Sequence, residues 1–305
     1  TPQGSVLGPL IYIVLANDLA KCLKFCSCVT FADDTTVLAS GGNLKFLYKK
    51  VNADLKNLGD WFDSNSLTLN VDKSKYILFR TKRKEITFNG GIKLGGKEIE
   101  RVSSIKFLGI TTDEHLEWKV HVKNVITKMI AGNYSLNMVR NILPPEIKMQ
   151  IYHSNIESHL NYALNVWGPM MKCKDLNQIR KQQNKAIRAI FNVGRRTRML
   201  PLYKRAKVLN IQEDLIQLSL ARISFRYIRN TLPQRIVGLF DVIDHAHLTR
   251  NRNLLRAPQH TIEQYNKSFL GRAPHIWLHL NDHLKDKKNV KLFAKNFTQW
   301  KTSLY

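Results

Sequence analysis

Two adjacent acidic residues, Asp33 and Asp34, lie in a stretch whose neighbours favour a β-hairpin. β-prone runs flank them at Val29–Phe31 and Val37–Ala39, and the small Ala32 precedes them. Burying an unpaired carboxylate is costly, so acids in such a turn are expected to be exposed. Oxygen ligands at a rigid tip suit Mg²⁺, and two such ions about 4 Å apart can activate a 3′-hydroxyl and stabilise pyrophosphate. The alternative is an ordinary exposed turn, where Asp is common.

Charge is the second clue to chemistry. Lys and Arg number 48 against 23 Asp and Glu, so the formal net charge is +25. Such a field attracts polyanions and releases their counterions. The densest basic stretch, 172–198, is either a surface that follows a nucleic-acid backbone or a solvated helix face. Its candidate phosphate-binding residues are Arg180, Lys181, Lys185 and Arg188.

The cysteines indicate a reducing compartment. Four are present, and Cys22, Cys26 and Cys28 are clustered. Their spacing matches no common zinc site, so free thiols are favoured over a metal. The sequence contains no run of about 18 uncharged apolar residues, so no membrane-spanning helix is predicted. The chain begins at Thr1 without the charged segment of a signal peptide, so we expect an intracellular protein and a piece of a longer one.

The elements that must position the acids change character along the chain. Leucines and other apolar residues recur every three or four positions from Leu44 to Phe62 and predict an amphipathic helix. The pattern also predicts a mostly buried helix over Val6–Leu23. Strands are expected at 67–69, 76–79 and 105–110, with a hairpin at 92–99. After about residue 114, helices are expected at 118–129, 144–160, 176–190 and 211–228, then a polar connection at 241–268 and a weakly helical tail.

Several blocks in order resemble one family. The run Phe31-Ala32-Asp33-Asp34-Thr35 resembles the catalytic box of reverse transcriptases from non-LTR, LINE-type retrotransposons, closest to jockey-like elements. The resemblance covers nearly the whole chain. Its other blocks are Pro2–Leu10, Asn17–Leu19, Trp61–Ser74, Lys106–Ile110, Leu116–Trp118 with His121, Pro201–Tyr203, and Phe269–Pro274 with Trp277.

The resemblance implies an α+β fold: an incomplete polymerase palm (1–113), a helical thumb or connection (114–240) and a C-terminal region (241–305). It implies RNA-directed DNA synthesis with an RNA template, a DNA primer, deoxynucleoside triphosphates and Mg²⁺, in the cytoplasm and nucleus and away from membranes. Asp33 and Asp34 would bind metal, and Lys73 would lie near the nucleotide phosphates. The remaining implied contacts are nucleotide and template at Gln3, Gly4, Phe31 and Ala32, and a primer grip at Phe107, Leu108 and Gly109.

The family uses a third catalytic carboxylate on a strand before the Pro-Gln-Gly block. That strand and the fingers would precede residue 1, so we expect the chain alone to be inactive, since two ligands bind paired metals poorly. Asp18 could substitute, although a cap or surface role is favoured. The rival interpretation is a non-enzymatic basic nucleic-acid-binding module or a decayed element copy.

Other candidates have plainer interpretations. His153 and His159 could form a metal pair, but their spacing of six places them on different faces of a helix, so surface or core roles are favoured. Trp61, Trp118 and Trp167 lie beside periodic apolar positions. They are therefore expected in cores rather than as platforms for base stacking.

Overall fold

The computed structural model describes residues 5–86, 88, 90–242, 255–256 and 263–305. The chain divides into an amino-terminal unit (Thr1–Lys106 and Asp113–Leu116) and a helical unit (Phe107–Thr112 and Glu117–Tyr305). Helices predominate and the sheets are small, so the α+β class is confirmed at this level. Gln3 and Gly4 lie outside the described residues, as does most of the polar connection at 241–268.

The amino-terminal unit combines helices with short strands. Its helices are α1 (Leu7–Ala16) and α2 (Leu44–Ser64), with a 3-10 turn at Leu19–Cys22. The strands up to residue 113 are β1 (Ser27–Phe31), β2 (Asp34–Leu38), β3 (Lys75–Tyr76), β4 (Lys93–Leu94), β5 (Lys97–Glu98), β6 (Glu100–Arg101), β7 (Ser104–Phe107) and β8 (Ile110–Asp113). They pair two by two: β1 with β2, β4 with β5, β7 with β8, and β3 in parallel with β6.

Helix α2 supplies the centre of this unit. Asn43 caps its start by accepting the N–H of Phe46 at 3.3 Å, a usual way to satisfy a free donor in the first turn. The apolar stripe buries Tyr48, Leu55 and Leu58. Buried residues from other elements complete the cluster: Leu19, Cys28, Ile92, Leu94 and Ile99. The amphipathic helix predicted from the sequence is confirmed.

The apolar helix at the start of the chain differs from its prediction. A mostly buried helix over Val6–Leu23 was expected, but α1 ends at Ala16 and buries none of its residues. Val6 is 86% exposed and Val14 is 78% exposed. An apolar helix is buried only where another layer covers it, and no described element of this unit does so. Pro9 lies in the first turn, where its missing N–H breaks no helical hydrogen bond.

Two predicted strands are wrong or much shorter. Residues 67–69 form no strand, because the chain is still closing α2: Ser66 has φ of 53° and the N–H of Leu67 donates to the carbonyl of Phe62 at 2.9 Å. The strand expected at 76–79 is reduced to the two residues of β3. Local hydrogen bonds at a helix end therefore override β propensity here.

Tight turns interrupt the remaining strands. The hairpin at 92–99 is confirmed, and its turn residues Gly95 and Gly96 have φ of 55° and 77°. Positive φ at both central residues is the requirement of a type I′ turn. The single strand expected at 105–110 is broken in the same way, because Leu108 and Gly109 have φ of 45° and 84° between β7 and β8.

The helical unit contains the helices predicted between 118 and 228. The helices at and near the predicted positions are α3 (Lys119–Met138), α4 (Pro145–Tyr152), α5 (Ser158–Asn161), α7 (Cys173–Ile190) and α9 (Ile216–Ile228). The described part of the unit also contains α6 (Leu164–Trp167), α8 (Met199–Ala206), α10 (Gln234–Val237), α11 (Glu263–Lys267), α12 (Phe269–Leu278), α13 (Asp282–Lys285) and α14 (Val290–Ser303). Short π-helical turns precede α5 at His153–Glu157 and α9 at Ile211–Leu215. Strands β9 (Asp241–Val242) and β10 (Leu255–Arg256) pair antiparallel.

Large side chains fill the cores as expected. Trp118 is 5% exposed and Trp167 is 0% exposed, so their assignment to the core is confirmed. Trp61 is half-buried and packs edge-on against Phe62, with ring centroids 5.1 Å apart. Among the helices of the described ranges, none has the length and apolar character needed to cross a membrane.

Candidate active site

The acidic pair lies at the tip of the β1–β2 hairpin. The antiparallel register pairs Phe31 with Asp34, which leaves Ala32 and Asp33 as the connecting turn. Ala32 has φ of 51°, a left-handed conformation that costs an L-residue roughly 1–2 kcal/mol. Asp33 therefore occupies the turn and Asp34 begins β2. The predicted hairpin with acids at its tip is confirmed.

The two faces of this hairpin differ in their surroundings. Cys28 and Val37 form a cross-strand pair that packs on the core of the unit. Since side chains alternate along a strand, Phe31 and Asp34 lie on the opposite face, where both are exposed. Asp33 is exposed too, and neither carboxylate pairs with any residue that the structure describes. Both are thus available to a ligand from solvent.

Asp33 and Asp34 fit the donor set that Mg²⁺ accepts. This ion is commonly held by one or two carboxylates together with waters and substrate phosphates. Within the described ranges, no group of three or more His, Cys, Asp or Glu side chains could hold a metal by itself. Metal bound at this tip would therefore complete its shell with water, substrate oxygens or groups beyond the described residues.

A buried carboxylate holds the base of the hairpin. Asp54 of α2 is 0% exposed, and it accepts the backbone N–H groups of Lys24 at 3.0 Å, Phe25 at 2.8 Å and Cys26 at 2.7 Å. Burial alone would raise the pKa of the Asp54 carboxyl, but these donors outweigh it and hold the pKa below its ordinary value. The contact fixes how the chain enters β1.

The clustered cysteines lie around this clamp. Burial, and then the neighbouring Asp54 carboxylate, raise the pKa of Cys26 to about 12. Burial also raises the pKa of Cys22, whose thiol donates to the carbonyl of Leu19 at 2.9 Å. Metal binding and nucleophilic attack need the thiolate, which these environments disfavour. The cysteines are free thiols.

Asp18, the proposed substitute carboxylate, has a structural partner. Its Oδ1 atom accepts the indole N–H of Trp61 at 3.1 Å. The contact joins the end of α1 to α2 within the amino-terminal unit. Asp18 is exposed, so its observed contact is that of a surface residue.

Lys73 lies in an exposed turn before β3. Its backbone N–H donates to the side-chain oxygen of Asn70 at 3.1 Å, and the Ser74 hydroxyl donates to the Asn70 carbonyl at 2.9 Å. This local turn fixes the backbone and leaves the lysine side chain in solvent. In the described part of the chain, no ion pair joins Lys73 to the acids, so their convergence stays a prediction.

The residues proposed as a primer grip form the turn between β7 and β8. The hydroxyl of Tyr162 donates to the carbonyl of Leu108 at 2.6 Å. A Cβ atom at Gly109 would lie 3.3 Å from the Tyr162 ring, so glycine permits this close approach. Phe107, 37% exposed, stands beside the turn. The turn is thereby held from a residue 54 positions away.

A second contact holds β8 from α3. The buried His121 accepts the N–H of Thr111 through Nδ1 at 3.4 Å, and Asn124 donates to the Thr111 hydroxyl at 3.3 Å. Burial, and then the charge of Lys128, lower the pKa of His121. The neutral ring is the form that can accept at Nδ1. The tip of this hairpin is therefore fixed at several points within the helical unit.

The basic residues of α7 fall into two groups. Lys181 and Lys185 are exposed on one side of the helix and pair with no residue that the structure describes. Arg180 donates to Gln212 at 2.5 Å and Arg188 donates to the carbonyl of Thr197 at 3.4 Å, and both are half-buried. The lysines are therefore better placed to bind phosphate than the arginines.

A basic loop follows α7. Arg195, Arg196 and Arg198 are all exposed there. Arg140 anchors the start of this loop by donating to the side chain of Asn192 at 2.8 Å and to the carbonyl of Val193 at 3.0 Å. Arginines with internal partners thus shape the loop that displays the exposed ones.

The two histidines considered as a metal pair have different neighbours. His153 pairs with Glu157 one turn along, and this hydrogen bond raises the pKa of His153. Burial, followed by the charge of Lys128, lowers the pKa of His159. The two imidazoles therefore have separate environments.

The part of the chain that contains the acidic hairpin matches a known protein family. Residues 1–112 match the family model of reverse transcriptases (RNA-dependent DNA polymerases). This segment includes the acidic hairpin, the turn carrying Lys73 and the β7 strand. Over these residues, the chain is similar to the reverse transcriptase family.

Relatives of this chain come from transposable elements. The chain is 30% identical over 224 residues to the RNA-directed DNA polymerase from mobile element jockey of Drosophila melanogaster, covering 70% of this chain and 23% of that protein. It is 27% identical to the probable RNA-directed DNA polymerase from transposon BS of the same species, covering 70% and 24%. It is 26% identical to the retrovirus-related Pol polyprotein from type-1 retrotransposable element R1 2 of Nasonia vitripennis, covering 45% and 35%. The resemblance to jockey-like elements is confirmed, and the chain spans about a quarter of the length of the jockey and BS relatives.

Two residues that shape the site were not singled out from the sequence. Asp54 could have been, because it lies between Val51 and Leu58 on the apolar stripe of α2, where an acid needs a special partner. No sequence pattern points to Tyr162, whose partner is distant in the chain.

Replacing Asp54 with Asn should destabilise the amino-terminal unit by about 2–4 kcal/mol at pH 7, because an amide offers fewer acceptors to the buried donors. The folded-state pKa of Asp54 is lowered, so its contribution is complete above the unfolded value of about 3.9 and is lost as pH falls through the folded pKa. Urea unfolding from pH 7 to pH 3 should show the two proteins converging. Asp60→Asn, on an exposed position of α2, is the control. Equal stability of the two variants at pH 7 would contradict the clamp.

Replacing Tyr162 with Phe should loosen the β7–β8 turn without unfolding the helical unit. The expected loss is about 0.5–1.5 kcal/mol, the usual net value of one hydrogen bond. Hydrogen exchange at residues 108–111 should accelerate. Tyr134→Phe, which alters a tyrosine that is 67% exposed on α3, should change nothing. Unchanged exchange in the Tyr162 variant would show that other contacts hold the turn.

Proposed function

We propose that this chain forms part of an RNA-directed DNA polymerase of a jockey-like non-LTR retrotransposon. The observation that supports this most directly is the exposed Asp33-Asp34 pair at a hairpin tip, within the segment that matches the reverse transcriptase family. The substrates would be an RNA template, a DNA primer and deoxynucleoside triphosphates. The amino-terminal unit would contribute to the palm, and the helical unit would supply the thumb and C-terminal region.

Within the palm, the acids would act as metal ligands. Asp33, in the turn, is the candidate ligand to both metals, and Asp34 supports it from the first position of β2. Bound Mg²⁺ would supply Lewis acidity for the 3′-hydroxyl and charge neutralisation for pyrophosphate. What this chain adds is orientation, because the Asp54 clamp and the β1–β2 register fix where the carboxylates stand. Orientation of reacting groups can be worth roughly 7–11 kcal/mol of barrier.

The neighbouring candidates would contact the nucleotide and the primer. Lys73 would place a point charge near the nucleotide phosphates. Phe31 and Ala32, beside the acids, would meet the base pair together with Gln3 and Gly4. The turn at Phe107, Leu108 and Gly109 would hold the primer end, and Tyr162 would keep that turn in one conformation.

The helical unit would follow the nucleic-acid backbone. The exposed Lys181 and Lys185, together with Arg195, Arg196 and Arg198, offer positive charge with no pairing carboxylate among the described residues. Phosphate contacts of this kind position a strand without reading its sequence. Arg180 and Arg188 would contribute less, because both are half-buried and each donates a hydrogen bond inside the unit.

Primer extension tests the polymerase proposal. The 305-residue chain should not extend a primer on an RNA template with Mg²⁺, whereas the chain continued upstream through the preceding reading frame should. Asp33→Asn in the longer polypeptide should reduce synthesis by several orders of magnitude, since a metal ligand and its positioning are lost. Asp60→Asn is the matched control and should retain activity.

Two outcomes would count against this proposal. A longer polypeptide that binds nucleic acid but never extends a primer would favour the non-enzymatic basic module. Extension that survives Asp33→Asn would place the metal ligands elsewhere. Extension by the 305-residue chain itself, abolished by Asp33→Asn, would keep the site but show that its ligand set is complete within these residues.

Salt dependence tests the backbone surface. Replacing Lys181 and Lys185 with Gln should reduce the slope of log affinity against log salt by up to about 1.8 on duplex DNA, at about 0.9 per phosphate contact. The control replaces Lys45 and Lys49, exposed four residues apart on α2, with Gln. An equal change in both variants would mean that the slope reports net charge rather than a surface on α7.

A further inference from the structure

A cavity of about 480 Å³ lies in the helical unit between α9, α12 and α14. Its polar and aromatic lining consists of Gln217, Arg272, His275, His279, Trp300 and Lys301, and aliphatic side chains complete it. Ligand pockets typically measure roughly 300–1,000 Å³. None of the described residues that line the cavity is acidic. The site is therefore large enough for a small organic anion and suited to negative charge.

Helix periodicity brings the basic lining together. Arg272 and His275 lie in α12 and His279 follows its last residue as the C-cap, at intervals of three and four residues, so the three side chains lie on one side of the helix. The opposite face is buried through Ala273 and Trp277. The Nδ1 atom of His279 lies 2.7 Å from the carbonyl oxygen of His275, so that nitrogen carries the proton and the rest of the ring stays available.

The two permanent cations of the cavity, Lys301 and Arg272, have different partners inside the protein. Lys301 pairs with Asp214 at 3.1 Å, and both side chains are largely buried. Its ammonium also lies 5.0 Å from the centre of the Trp300 ring, a cation–π contact that orients the indole. Arg272 donates through Nη1 to the carbonyl of Pro169 at 3.4 Å. A guanidinium carries five donors, so most of the Arg272 fork remains for a ligand.

We infer that this cavity binds a nucleotide, with its phosphate on Arg272 and the histidines and its base against Trp300. Arginine recognises phosphate with paired hydrogen bonds, and an indole offers a stacking surface to any base. Bases inside a duplex are covered by their neighbours, so the nucleotide is either free or in a single strand. The inference rests on the proposed function only where the bound nucleotide is part of a single strand.

Direct titration of the 305-residue chain tests the inference. The probes are inorganic phosphate, AMP and a single-stranded DNA pentanucleotide, each followed by calorimetry. Arg272→Gln should weaken binding of all three about tenfold or more, as loss of a charged hydrogen-bond donor predicts. Trp300→Leu should weaken AMP and the pentanucleotide about fivefold or more and leave phosphate unchanged, because only stacking is lost. Lys291→Gln, an exposed position of α14 outside the lining, controls for charge.

The results distinguish a free nucleotide from a single strand, and they show when the inference is wrong. Tighter AMP binding identifies a free nucleotide, and tighter pentanucleotide binding identifies a strand. Absence of binding by every probe, or equal effects of Arg272→Gln and Lys291→Gln, overturns the inference. If Arg272→Gln unfolds, the double replacement of His275 and His279 with Gln makes the same test at exposed positions. Failure here leaves primer extension and the salt slope of the α7 lysines unaffected, so it is distinguishable from failure of the proposed function.

Discussion

The buried carboxylate of Asp54 connects the amphipathic helix to the acidic hairpin. A charge with no exposure is tolerated only when hydrogen bonds replace its water, and here the backbone donors of Lys24, Phe25 and Cys26 do so. Because successive N–H groups converge on one carboxylate, the segment entering β1 has little freedom. The register of β1 with β2 then places Asp33 in the turn. The position of the proposed metal ligands thus depends on a residue that cannot touch the metal.

The turn between β7 and β8, which belongs to the helical unit, is also held by a residue distant in the chain. Its turn includes Leu108 at φ of 45°, and the acidic hairpin includes Ala32 at φ of 51°. Neither residue favours this conformation, so surrounding contacts must enforce it. Tyr162 holds Leu108 in this conformation, and the pairing of β1 with β2 holds Ala32. Rigid tips are what a reaction limited by positioning requires of its protein.

Local patterns predicted the elements whose stability is local or periodic. The stripe of α2, the Asp33-Asp34 hairpin and the helices after residue 118 have signals within a few residues of one another. The strand expected at 67–69 failed for a local reason, the hydrogen bonds that close α2, but other failures have distant causes. Burial of α1 needed a covering layer, and the availability of Arg180 depended on Gln212, 32 residues away. The assignment of Asp33 and Asp34 to catalysis came from the family resemblance, because chemistry alone left an ordinary turn open.

The environment of Asp34 sets a condition on the proposed chemistry. Its cross-strand partner Phe31 is 61% exposed, and Val29 and Leu38 on the same face are 39% and 47% exposed. Carboxylates in open water hold a metal weakly and act in a high dielectric, whereas electrostatic stabilisation is strongest where water is excluded. An apolar rim beside an exposed acid becomes useful when a flat apolar object covers it. A terminal base pair of template and primer has that shape, and seating it on Phe31 would remove water from the acids at the moment its 3′-hydroxyl arrives. Under the proposed function, substrate binding would therefore lower the dielectric around the two carboxylates and also supply the missing metal ligands.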